Sequence, residues 1–131
     1  MRRIQCLPSI IHYYRIFASE TTQNFLQKYY MWHPVFQESE LEPGKILCTD
    51  IQGKKILVMR SGSELYSCGA MCPHQGVSME AGWVFDDEIT CPEHSWVFSL
   101  KDGALTWPGS GPRIPIYSAR IQNGVVEVEI G

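Results

Sequence analysis

From Val35 onward the apolar residues fall in short runs broken every few positions by turn-forming residues. Val35–Glu38 leads into Ser39-Glu40-Leu41-Glu42-Pro43-Gly44, a turn closed by Pro-Gly. Lys45–Ile51 and Lys54–Arg60 flank Gln52-Gly53, the signature of a tight hairpin. Ser61-Gly62-Ser63 marks the next turn and Glu64–Cys68 the next strand. Ile89–Cys91, Trp96–Leu100, Pro115–Ile121 and Val125–Ile130 follow, with further hairpin turns at Lys101-Asp102-Gly103 and Gln122-Asn123-Gly124. Short strands at this spacing, with glycine in the turns, predict an all-β sandwich or barrel. No internal repeat or low-complexity tract interrupts the pattern.

Residues 1–32 read differently and are expected to form an N-terminal extension, with one compact domain over 33–131. The first 30 residues hold Arg2, Arg3, Arg15 and Lys28 against Glu20 alone, a balance of +3. Basic residues in a nearly acid-free stretch resemble a targeting segment, but Gln5, Pro8, Ser9 and His12 break any apolar run. Ser19–Tyr30 has the pattern of a short helix, with Ser19 as its cap. A chain start read too early, with Met31 as the working start, fits the same residues.

Length and charge narrow the function. At 131 residues the chain has room for about one domain with a real core. No window has the ~18 apolar residues needed to span a bilayer, so no membrane span is expected. Residues 31–131 carry 7 basic and 13 acidic side chains, a balance of −6. That acidity argues against nucleic acid, whose affinity comes from cations on phosphates. It favours a partner with a basic docking surface. The five cysteines, Cys6, Cys48, Cys68, Cys72 and Cys91, do not read as a closed disulfide framework. Thiols and metal ligands are the expected uses, which points to a reducing, cytoplasmic compartment. Cys48 and Cys68 sit in strands and read as buried inert thiols; His12 and His33 lack a partner at ligand spacing.

Two loops carry the chemistry: Cys72-Pro73-His74 and Cys91-Pro92-Glu93-His94, with sixteen residues between His74 and Cys91. Side chains two apart in extended chain point the same way, so Cys72 and His74 can aim at one centre. Cys91 and His94 can approach it from a facing loop. Pro73 and Pro92 stiffen both loops, and Gly69, Gly76 and Gly82 permit tight backbone paths. Two thiolates and two imidazoles suit either a [2Fe–2S] cluster or a Cys2His2 zinc site. Zinc fingers pair like ligands within a loop, whereas each loop here is mixed. No Ser/His/Asp arrangement, phosphate-cradling loop or pair of catalytic carboxylates emerges, so catalysis by this chain alone is not expected.

At these residues the sequence resembles the Rieske family, whose ligand pattern C-x-H-x16-C-x2-H runs from Cys72 to His94. The likeness spans about residues 33–131. Glu40–Gly44 resembles the turn before the second strand of Rieske ferredoxins. Trp107-Pro108-Gly109-Ser110-Gly111-Pro112 resembles the family's third loop, which covers the cluster. Ala70–Gln75 looks most like the ferredoxins of toluene monooxygenase systems. The resemblance implies an antiparallel β-sandwich with a small cluster-binding subdomain of loops, holding one [2Fe–2S] cluster. Cys72 and Cys91 would hold the buried iron, and His74 and His94 the outer one. It also implies a single-electron carrier, not an enzyme, between an NADH-dependent flavoprotein reductase and a terminal oxygenase acting on aromatic or other hydrocarbons. Gln75, Trp96 and Pro112 are the candidate docking rim. Val77 and Glu93 occupy positions where respiratory Rieske proteins carry a disulfide. Trp96 and Phe98 stand where high-potential members place Ser and Tyr hydroxyls, which implies a potential near the low end of the range. The alternatives are a zinc-stabilised interaction module, a subunit of a nitrite reductase-like complex, and the Rieske domain of a larger oxygenase.

Overall fold

The computed structural model describes residues 7–8 and 32–130, and the expectations for the remaining N-terminal residues, including the Ser19–Tyr30 helix, Cys6 and His12, lie outside them. In chain order the strands are β1 (Leu7–Pro8), β2 (Trp32–Gln37), β3 (Ile46–Ile51), β4 (Lys54–Ser61), β5 (Glu64–Gly69), β6 (Met71–Cys72) and β7 (Val77–Ser78). They continue as β8 (Trp83–Phe85), β9 (Glu88–Thr90), β10 (Val97–Ser99), β11 (Leu105–Trp107), β12 (Ile116–Gln122) and β13 (Val125–Glu129). Two 3-10 turns, Glu38–Glu40 and Met79–Ala81, complete the described elements.

The larger sheet runs β1-β3-β4-β5-β12-β13-β2 and is antiparallel except where β1 pairs with β3. β12 pairs first with β5 through Ile116 and Tyr117, then with β13 from Ser118 to Gln122. This hand-over makes β12 the corner at which a single sheet folds into two facing layers. Val35 and Phe36 of β2, Val126 and Val128 of β13, and Leu47, Ile51, Ile56 and Val58 of β3 and β4 fill the space between. The hairpins close where the turn residues dictate. Gln52 and Gly53 both have positive φ, as do Asn123 and Gly124, the backbone of a type I′ turn.

β4 explains how a second core fits in so short a chain. Its run Ile56-Leu57-Val58-Met59 is wholly buried. Successive side chains in a strand point to opposite faces. Ile56 and Val58 therefore enter the sandwich core, while Leu57 and Met59 face the other way. There, with Cys48 and Cys68, they meet a small lobe formed by residues 70–114. The lobe is more regular than loops alone. It has a four-stranded sheet, β11-β10-β9-β8, and a two-stranded ribbon of β6 and β7. Leu105, Phe98, Ile89 and Val84 form one inward row across the four strands. The fully buried ring of Phe98 is the largest of them, and burying such a side chain stabilises by about 1.5–3 kcal/mol.

β6, β7, β8 and β11 are two or three residues long and too short to show a period in sequence. Cys68 is a buried free thiol, pushed up to about 12 by that burial. Cys48 is buried but disulfide-bonded, which corrects its reading as an inert thiol. His33 is buried in β2, and burial holds its pKa below the ordinary value.

A Cβ on Gly82 would collide with the Thr90 carbonyl oxygen, so Gly82→Ala is expected to cost about 3 kcal/mol or more in urea unfolding. Gly53→Ala, which meets no atom but has φ +82°, is expected to cost only about 1–2 kcal/mol. Because folding lowers the His33 pKa, the unfolded chain takes up that proton first. The stabilising share of neutral His33 is present above its ordinary value of 6.5 and is lost as pH falls towards the folded value. Thermal unfolding is expected to show a shallower acid decline for His33→Gln than for wild type between about pH 7 and 5.5.

Candidate metal centre

Cys72 ends β6, and the chain turns at once: the Gly76 N–H donates to the Cys72 carbonyl at 2.8 Å, with Gly76 at φ +67°. Cys91 directly follows β9, and its N–H donates to the Trp96 carbonyl at 2.8 Å, closing the second loop. His94 and Ser95 at the tip of that loop both have positive φ, 61° and 58°. Such backbone is uncommon outside glycine and marks a tip held by its surroundings. The Met79 N–H donates to the Ala70 carbonyl at 2.7 Å and anchors the first loop at its base.

The four candidate ligands divide into two pairs. The thiols of Cys72 and Cys91 are fully buried neighbours. Burial pushes the Cys91 thiol up to about 11; the Cys72 thiol adds to the rise, and a hydrogen bond from the Glu93 backbone opposes it. Two such thiols become thiolates when a cation shares their site. The imidazoles of His74 and His94 meet edge to face, with ring centroids 5.0 Å apart and planes at 86°. His94 is exposed and His74 half-buried, so the pair reaches solvent. His74 Nδ1 is buried and has no hydrogen-bond partner. Buried polar atoms are rarely left unpaired, and a metal bond would satisfy this one.

Among the described residues no three Cys, His, Asp or Glu side chains converge on one ion. The pairing, thiols inside and imidazoles outside, fits a centre of two metal ions better than one tetrahedral zinc. The donor set therefore suits a [2Fe–2S] group with mixed ligands.

Trp96 lies flat on the His74 ring, with centroids 4.1 Å apart and planes at 23°. It is half-buried and also packs against the lobe core, so it is both core aromatic and neighbour of the site. The stack was not legible from the sequence, because Trp96 belongs to the other loop. Gln75 is exposed beside His74. Pro112 is exposed in the third loop, between β11 and β12, where Gly111 lies so close that an added Cβ would meet Leu105 Cδ2 at 2.8 Å. Val77 pairs with Cys72 across the β6–β7 ribbon and Glu93 is exposed, so a second disulfide has no thiols here.

Residues 31–118 match the family model described as the Rieske [2Fe-2S] domain. The chain is 29% identical over 100 residues to the ferredoxin subunit of anthranilate 1,2-dioxygenase from Burkholderia cepacia, covering 76% of this chain and 93% of that one. It is 32% identical over 108 residues to a cholesterol 7-desaturase from Hemicentrotus pulcherrimus, of which it spans only 23%. Among solved structures it resembles the ferredoxin of carbazole 1,9a-dioxygenase from Nocardioides aromaticivorans IC177, with a TM-score of 0.68 and 26% identity over 75% of this chain and 96% of that one.

Removing the ring over His74 should loosen the site. Trp96→Ala is expected to speed iron loss to a chelator about tenfold, followed by visible absorbance, while Trp96→Phe retains most of the protection.

Proposed function

The chain belongs to the Rieske [2Fe-2S] domain family, with one Rieske-type [2Fe–2S] cluster, and on that premise we propose that it is the ferredoxin of a multicomponent oxygenase. The arrangement of the four candidate ligands carries this reading: a buried thiol pair backed by the lobe core and an imidazole pair that opens to solvent. Cys72 and Cys91 would hold one iron and His74 and His94 the other. When bound, the cluster supplies reversible one-electron chemistry. The chain supplies the rest. Phe98, Ile89 and Met79 keep water from the thiol side. Trp96 fixes the His74 plane, and His94 sits where a partner protein can approach.

The ferredoxin relatives named above serve dioxygenases, and the chain spans nearly their whole length. This supports an aromatic-ring dioxygenase system over a toluene monooxygenase system. A related carbazole 1,9a-dioxygenase ferredoxin is seen in complex with its oxygenase, which supports a terminal oxygenase as the acceptor. An NADH-dependent flavoprotein reductase is the donor in this scheme. Gln75 next to His74, Trp96 stacked on its ring and the exposed Pro112 of the third loop are the proposed docking rim. No described helix is long and apolar enough to cross a membrane. The free thiol of Cys68 suits a reducing, cytoplasmic setting, whereas the disulfide at Cys48 suits an oxidising one.

Trp96 and Phe98 offer no hydroxyl to the cluster, so a low potential is expected. The dithionite-reduced protein should give the rhombic electron paramagnetic resonance signal of a mixed histidine–cysteine cluster. Protein-film voltammetry should place the midpoint at roughly −150 mV. A protein without iron and sulfide removes the reading, and a midpoint well above zero removes the argument from the missing hydroxyls.

A further inference from the structure

The lobe has an outward face that the cluster site does not use. Trp83, Thr90, Val97 and Trp107 stand directly opposite one another across β8, β9, β10 and β11. They share the face turned away from the inward row of Leu105, Phe98, Ile89 and Val84, the register shift between Val97 and Phe98 turning exposed Trp107 away from buried Leu105. Trp83 is 52% exposed, Phe85 74% and Trp107 55%. Three strand spacings separate the two tryptophans, about 14 Å, with Thr90 and Val97 as the floor between. The row borders the ligand loops. Thr90 precedes Cys91, Val97 follows Trp96, and Trp107 opens the third loop.

The charged side chain among the outward strand residues is Glu88, while in the adjoining turn Lys101 offsets Asp87. Glu88 stands opposite Phe85 on the same face and accepts from the Thr106 hydroxyl at 2.9 Å. No cation pairs with it among the described residues, where the ion pairs are Lys101–Asp87 and Arg120–Glu127. Asp86 extends the acidity from the adjoining turn. A carboxylate set beside exposed aromatic rings suits an arginine or lysine, which can lie on a ring and pair with the acid. Tryptophan and arginine are also the residue types that carry most binding energy at protein interfaces.

We propose that this sheet face is a docking surface for a partner protein that presents arginine or lysine side chains around an apolar centre, seated beside the cluster tip. The inference rests on the electron-carrier reading above and adds to it a second, lateral contact. Trp83 and Phe85 supply the apolar anchor, Glu88 the charge, and Trp107 continuity with the third loop.

The test titrates the oxidised, full-length protein with ferric cytochrome c, a lysine-ringed probe to which no electron flows. The indole N–H resonances of Trp83 and Trp107 are expected to shift, and that of Trp32, under Arg120 in the sandwich, to stay. Trp83→Ser with Phe85→Ser is expected to weaken the affinity about tenfold. Glu88→Gln, which leaves the sheet intact, is expected to flatten its salt dependence. The exposed Ile121→Ser on β12 serves as the control and should change neither. Indole signals that stay fixed, or affinities in the Trp83 and Glu88 variants equal to the Ile121 control, overturn the docking proposal. Reduction of cytochrome c by the dithionite-reduced protein is measured separately. Its absence would count against the carrier reading and leave the binding result to stand by itself.

Discussion

Everything in the lobe depends on placing two thiols side by side in a space closed to water. Neutral, they are small apolar groups and pack as such among Phe98, Ile89 and Met79. Charged, they need a compensating cation within bonding reach. The same pocket therefore serves as ordinary core and as the inner half of a metal centre. The imidazoles above it complete the other half without needing burial, because neutral histidine ligates well in contact with water.

The ligand loops were legible in the sequence because their information is local. Cysteine, proline and histidine at fixed short spacing state both the donors and the stiffness of the chain that holds them. The long hairpins were equally plain, since Gln52-Gly53 and Asn123-Gly124 demand positive φ that few residues tolerate. The β8 and β11 strands were not. Each has three residues, and the β10–β11 pairing shifts register between Val97 and Phe98, which erases the period-two signal.

The His74–Trp96 stack and the exposed Trp83–Trp107 row share a different reason for being hidden. Both join residues from separate strands or loops, brought together by sheet register. No spacing along the chain encodes such a meeting. Trp83, Phe85 and Trp107 read as ordinary strand aromatics until the direction of each side chain is known. Cys48 shows the same limit in covalent form, because a lone strand cysteine does not announce a bond.

β4 divides two packings that share a backbone but no side chains. A change of volume at Ile56 or Val58 is answered by β2 and β13, and one at Leu57 or Met59 by the lobe. The two halves can thus diverge over evolutionary time without waiting for each other. One interior can change to suit new surroundings while the other keeps its redox centre, because alternate residues of a single strand face each of them.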